Sequence, residues 1–366
     1  MRRILIISLL ILFLSGGCEA AAVSTPQPTQ TETAVPTEPT AQANGRLFHL
    51  SITEAEGEPF DDAFRLAQSA GAQATSLSVY WDDIEIAPGI YQPDPNWLAI
   101  ANAYYPAQQM QVSLAISVID TNNLRLPADL ADKSFDDPEL IARFNSLLDY
   151  VAAQLTELTP QSLAIGNEID LYLGSDVAQW RAYETFFVET AAYARTLWPN
   201  TLVGSKVTFE GIADERAAAI QSLNQHADVV LVTYYPLDGG FQVRPPTAVH
   251  DDFQTLADAF PDKTIHLLEV GYPTGTANGS SEAMQAQFIH ELFLAWDDHA
   301  EQIPVLNYTW LTDMPETAVA DMTDYYRLDD PAFVSFLATL GLRTGDGSPK
   351  PAFDQLLIET ETRGWR

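Results

Sequence analysis

Eight short apolar runs punctuate the chain, and segments of a different periodicity separate most of them. The runs are "RLFHLSI" (46–52), "ATSLSVYW" (74–81), "QVSLAIS" (111–117), "SLAIGN" (162–167), "TLVGSKV" (201–207), "VVLVTYY" (229–235), "TIHLLEV" (264–270) and "IPVLNYTW" (303–310). Apolar stretches of this length, bounded by polar or turn residues, predict buried strands. Between them, "PFDDAFRLAQSAG" (59–71), "DPELIARFNSLLDYVAAQL" (137–155), "VAQWRAYETFFVETAAYARTLW" (177–198) and "SSEAMQAQFIHELFLAWDDHA" (280–300) repeat apolar positions at three- and four-residue spacing, which predicts amphipathic helices. Strand and helix in alternation predict a parallel sheet. Eight such units over residues 45–366 match the count and length of a (β/α)8 TIM barrel. A doubly wound open sheet shares the alternation, but no Gly-rich fingerprint follows the first strand.

In a barrel the C-terminal strand ends ring one mouth, where catalytic residues collect. Two runs end in glutamate. The fourth, within "LAIGNEID" (163–170), sets Asn167 and Glu168 directly after the apolar stretch, and the seventh ends with Glu269. Burying an unpaired carboxylate costs several kcal/mol, so a carboxylate here is either satisfied structurally or faces a site. Two facing carboxylates divide labour: one protonates a leaving oxygen while the other attacks or activates water. Repulsion and partial burial push their pKa values apart, which keeps one protonated near neutral pH. This is the chemistry of glycoside hydrolysis; the bland alternative is a buried structural pair or two surface acids.

The N-terminus changes the picture of location. "MRRILIISLLILFLSGGC" pairs two arginines with an apolar stretch of signal-peptide length, short for a membrane span. Its end, "LSGGC", resembles the lipobox of bacterial lipoproteins, which implies a signal over residues 1–17 and lipidation of Cys18, the only cysteine. Residues 18–44, rich in Thr, Pro, Gln and Ala, cannot bury enough apolar surface to fold and are expected to form a tether. The expected organisation is therefore a domain over 45–366, extracytoplasmic and anchored to a membrane by an N-terminal lipid. Eighteen basic against fifty acidic residues give a net charge of −32, which repels nucleic acid and anionic lipid but not a neutral ligand.

Other chemistries lack their patterns. The six histidines show no HxxxH or HxH spacing and no GxSxG is present, so neither a metal, another cofactor nor a serine nucleophile is called for. The "GNE" of the fourth run and the "EVGYP" of the seventh resemble the clan A glycoside hydrolases, a retaining (β/α)8 superfamily, and are most similar to endo-β-1,4-galactanases or β-1,3-glucanases. "YWDDIEIAPGIYQPD" after strand two and "GLRTGDGSPKPAF" before the last helix extend the resemblance over residues 46–353. It implies an acid/base in Glu168, a nucleophile in Glu269 and a contact from Asn167 to the sugar 2-hydroxyl. It also implies that Tyr234 or Tyr235 hydrogen-bonds the nucleophile and that Trp310 forms an aromatic floor; Trp81 and Tyr272 are further candidates for stacking on sugar. One position departs from the pattern. Clan members commonly carry an arginine in strand two that pairs with the nucleophile, "ATSLSVYW" has none, and Lys206 in strand five is the cation at hand. The expected partner is a β-linked polysaccharide or oligosaccharide, cleaved internally by a monomeric enzyme. The rival reading is a degenerate barrel that binds glycans without cleaving them.

Overall fold

The computed structural model describes residues 45–366; the expected signal, the tether and Cys18 lie outside the described residues. Each apolar run forms a strand: β1 Leu47–Leu50, β2 Ala74–Tyr80, β3 Gln111–Asp120, β4 Ser162–Asn167, β6 Val230–Tyr234, β7 Ile265–Val270 and β8 Val305–Tyr308. The fifth run is interrupted at Ser205 and gives β5 in two pieces, Leu202–Gly204 and Lys206–Thr208. All neighbours in the ring pair in parallel, from β1 through β4 on one side and from β1 back through β8, β7 and β6 on the other. The first piece of β5 pairs with β4 and the second with β6, so the interruption closes the barrel. Close approach at that seam requires Gly204, because a Cβ there would lie 2.5 Å from the carbonyl oxygen of Val229.

The predicted helices form the outer layer. Pro138–Gln154 begins where the Asp137 carboxylate accepts from the Glu139 amide and Pro138 takes the first helical turn, while Asp176 accepts from the Ala178 and Gln179 amides at the start of Val177–Leu197. Between barrel and helices lies the main core, with Phe64, Phe144, Phe186, Phe253 and Trp296 fully buried. Inside the barrel, Ala115, Ala164, Leu231, Leu268 and Val305 form a separate apolar cluster. Buried polar side chains share the barrel with it: Ser113 and Ser162, two positions before Ala115 and Ala164, hydrogen-bond to each other, and His49 meets Gln161.

Two mouth features follow from the strands. After β3, Asn123–Leu124 folds back to pair with it antiparallel. After β8, residues 311–342 carry helices Glu316–Tyr326 and Pro331–Ala338 before the closing helix Pro351–Thr362. This segment has its own apolar cluster, Val319, Met322, Phe333, Phe336, Leu337 and Leu340, against which Tyr235, Trp310 and Tyr326 pack. Among the described residues no helix is long and apolar enough to cross a membrane.

Candidate active site

The end of β4 places Asn167 and Glu168 through two backbone conformations that most residues avoid. Gly166 has φ +82°, and a Cβ there would sit 2.5 Å from Ile169 and 2.7 Å from the Tyr183 hydroxyl. Glu168 itself is left-handed at φ 45°, and Thr121, across from it after β3, has φ 56°. A β-branched residue in this region is strained, and such strain persists only where surrounding contacts enforce it. The contacts are present. The Thr121 amide donates to the Asn167 carbonyl at 2.9 Å, and its hydroxyl donates to Glu168 Oε2 at 2.8 Å. From β6, the Thr233 hydroxyl donates to Glu168 Oε1 at 2.7 Å.

Glu269 arrives by a different device. Simple alternation along β7 would turn Glu269 away from the side that Leu268 occupies inside the barrel. The register slips here: Val232 pairs with Leu267 but Thr233 pairs with Glu269, and β8 shows the same extra residue on β7. A bulge re-aims the following side chain, and Glu269 turns to the mouth. Lys206 Nζ contacts its Oε1 at 2.5 Å, and the Tyr235 hydroxyl donates to its Oε2 at 2.8 Å. The cation absent from strand two thus comes from β5.

The two carboxyls occupy unequal environments. Burial first, and the neighbouring charge of Glu269 second, raise Glu168 to about 8; the threonine hydroxyls and Lys206 pull weakly the other way. Glu269 instead accepts from the Lys206 ammonium at Oε1 and from the Tyr235 hydroxyl at Oε2. Burial and the charges of Glu269 and Glu168 push Tyr235 well above the usual phenol range, so it remains a donor. The two carboxyls therefore differ in surroundings: Glu168 is buried among hydroxyls and raised, and Glu269 is paired with a cation.

Alternation along β6 separates the two tyrosine candidates. Thr233 and Tyr235 face the mouth, whereas Tyr234 between them is fully buried, donates to Asp252 Oδ2 at 2.8 Å on helix Ala248–Ala259, and packs edge-on to Phe209 and Phe253. Tyr234 is an outer-core residue, contrary to its place among the sugar contacts. Two further aromatics need the same correction. Trp81 is fully buried against Phe144 with its Nε1 donating to Glu85, and Tyr272 is fully buried, stacked on Phe288, with its hydroxyl donating to the Arg244 carbonyl. Neither has a free face for a ligand. Trp310, half-buried just past β8, shares its apolar cluster with Tyr235.

Residues that the sequence reading did not single out complete the mouth. Asn167 Nδ2 donates to Asp120 Oδ1 at 2.7 Å, and the Tyr325 hydroxyl donates to Asp120 Oδ2 at 2.7 Å. Arg125 donates to the Tyr325 oxygen at 3.1 Å, pairs with Asp82 and Asp83, and lies 3.8 Å over the Tyr80 ring. Tyr326, next in sequence, has its phenol raised by burial and by the charges of Asp120 and Glu168. Asp120 and Thr121 were within reach of the strand-end rule applied to β3; Tyr325 and Tyr326 carried no such signal. Among the described residues no group of three His, Cys, Asp or Glu is arranged to hold a metal.

No protein-family model matches the chain, and no curated protein does. Solved structures do. A single-substitution variant of the GH5_18 protein of Streptomyces cattleya, in complex with Manb1-4GlcNAc, is 17% identical with a TM-score of 0.64, over 88% of this chain and 81% of that one. An exo-beta-1,4-mannosidase from Opitutaceae bacterium strain TAV5 is 16% identical with a TM-score of 0.67, over 87% of this chain but 59% of that one. Xylanase 10B from Thermotoga maritima is 13% identical with a TM-score of 0.58, over 88% of this chain and 97% of that one. At this identity the likeness establishes the fold, a TIM barrel. Nothing in these neighbours singles out endo-β-1,4-galactanases or β-1,3-glucanases.

Proposed function

We propose that the chain is a retaining glycoside hydrolase acting on β-linked oligosaccharide or polysaccharide. The observation that carries this reading is the division of roles between the two strand-end glutamates, one raised to about 8 and one clasped by Lys206 and Tyr235. Glu269 attacks the anomeric carbon while Glu168 gives its proton to the departing glycosidic oxygen; Glu168, now a base, takes a proton from the water that opens the glycosyl ester. Asn167 donates to the sugar 2-hydroxyl, and Trp310 offers a ring face beside Tyr235. Internal attack on a polysaccharide is the mode we propose, with the enzyme held at a membrane by a lipid on Cys18.

The case for a non-catalytic glycan binder rested on the missing strand-two arginine, and Lys206 removes most of that case by supplying the charge from β5. Folded protein starting near residue 45, incubated with mannan, xylan, galactan and β-1,3-glucan, should release new reducing ends from at least one of them. Tight binding to a polysaccharide with no release would establish the binder instead. For the anchor, Cys18→Ser should move the protein from the membrane fraction to the soluble fraction without changing the melting temperature of the barrel; a variant still on membranes would exclude lipidation at Cys18.

A further inference from the structure

We infer that Tyr325, acting through Asp120, is a positioning residue that turns the amide nitrogen of Asn167 toward the oxygen at C2 of the sugar; the inference rests on the glycosidase reading above. An Asn side chain has two faces of similar shape and opposite polarity, so something must choose between them. Asp120 chooses. A carboxylate offers only acceptors, and the Asn167 Nδ2 donates to its Oδ1 at 2.7 Å. The choice is made against the interest of the other end of the amide: Asn167 Oδ1 is buried and finds no partner among the described residues. A buried acceptor left unsatisfied is tolerated only where a stronger demand fixes the group. What the amide can offer a ligand is then the second hydrogen of Nδ2, which Asp120 does not engage.

Asp120 is itself held from outside the barrel strands. Its Oδ2 accepts from the Tyr325 hydroxyl at 2.7 Å, and burial together with the Asp120 charge raises Tyr325 so that it stays a donor. Tyr325 is the penultimate residue of the helix Glu316–Tyr326, in the segment after β8, and that segment is tied to the loop after β3. The side-chain amides of Asn122 and Asn123 donate to the carbonyls of Tyr326 and Tyr325 at 3.1 and 3.3 Å. Arg125 closes the line at 3.1 Å from the Tyr325 oxygen while its guanidinium rests on Tyr80. The order of action is Arg125, Tyr325, Asp120, Asn167, sugar. A segment remote in sequence thereby sets which part of the substrate is read.

Tyr325→Phe removes one hydroxyl and keeps the ring that packs on Tyr326. Its kcat/KM is to be measured on p-nitrophenyl β-D-glucoside and β-D-mannoside and on the 2-deoxy glycoside that both sugars share, with Tyr193→Phe, a half-buried tyrosine whose hydroxyl is bonded to Asp149 in an exposed place, as the control for tyrosine truncation. The variant should lose about tenfold or more on the better 2-hydroxy substrate, the worth of one charge-assisted hydrogen bond, and less than about twofold on the 2-deoxy substrate. Equal losses on both substrates, or no loss on either, would overturn the inference while leaving the glycosidase reading intact. Absence of wild-type turnover on all three glycosides and on the polysaccharides above would overturn the reading and the inference with it. Should Tyr325→Phe show no cooperative melt, Asp120→Asn takes its place with the same expected split between substrates.

Discussion

Replacing Glu269 by Gln tests the electrostatic argument without requiring turnover. The charge of Glu269 is the second cause, after burial, that raises Glu168 to about 8 from a reference of 4.5. At the roughly 5 to 5.5 Å that separates the carboxyls of a retaining pair, and an effective dielectric of about 20, two unit charges interact by about 3 kcal/mol. Divided by about 1.36 kcal/mol per pKa unit, this is about 2 units. Glu269→Gln also frees Lys206 from its partner, and Lys206 already pulls Glu168 downward, so both consequences have the same sign. Glu168 should therefore titrate about 2 units lower in the variant, with burial keeping it above an ordinary carboxyl. The assay is the carboxyl carbon shift of glutamate-labelled protein followed by NMR against pH, with Glu168→Gln to assign the resonance. A Glu168 that still titrates near its wild-type value in Glu269→Gln would refute the coupling and leave burial as the sole cause.

Three further outcomes follow from the same geometry. Glu168→Ala should form the glycosyl-enzyme from a nitrophenyl glycoside and be rescued by azide as the β-glycosyl azide, whereas Glu269→Ala should give the α-azide; identical anomers by NMR would show the roles to be misassigned. Lys206→Met, which strips a charge-assisted hydrogen bond worth about 1.5 to 3 kcal/mol, should cut kcat/KM by about tenfold to a hundredfold, and undiminished kcat/KM would exclude Lys206 as the support of Glu269. Glu168→Gln bears on stability: a carboxyl raised in the folded state holds its proton between the reference 4.5 and about 8, so wild-type stability falls as pH climbs through that window. Gln never ionises, and the melting temperature of the variant should exceed that of the wild type by more at pH 9 than at pH 4; a gap that does not widen would contradict the raised Glu168.

What the sequence made legible was whatever depends on local periodicity. Eight apolar runs became eight barrel strands because each is long enough to cross the sheet and each is bounded by residues that stop it. The strand-end rule put Asn167, Glu168 and Glu269 at one mouth, and that is where the structure has them. It failed where a side chain's direction depends on something that period cannot carry. Tyr234 and Tyr235 are adjacent in an apolar run, and only their contacts, Tyr235 with Glu269 and Tyr234 with Asp252, say which one faces inward. Trp81 and Tyr272 stand near strand ends, yet Phe144 and Phe288 claim their faces. Tyr325 was invisible for a different reason: its partner Asp120 lies 205 positions away in sequence, and nothing local marks a tyrosine at a helix end as belonging to a mouth.

The departure at strand two turns out to constrain the chemistry more than the matches do. Lys206 is paired in register with Leu231, and Leu231 with His266, so its stem crosses the inner face of β6 to reach Glu269 on the next strand. On the way it comes near enough to Glu168 to count among the charges that lower it. One cation therefore serves both carboxyls. Lys206 is engaged by Glu269, and ionising Glu168 adds a negative charge that its own partners, two uncharged threonines, do not balance. Burial penalises that second charge far more than the first. The raised Glu168 is thus the work of burial first and of the Glu269 charge second, both set inside the barrel, and not of the −32 carried by the whole chain, most of which bulk water and salt screen from the site.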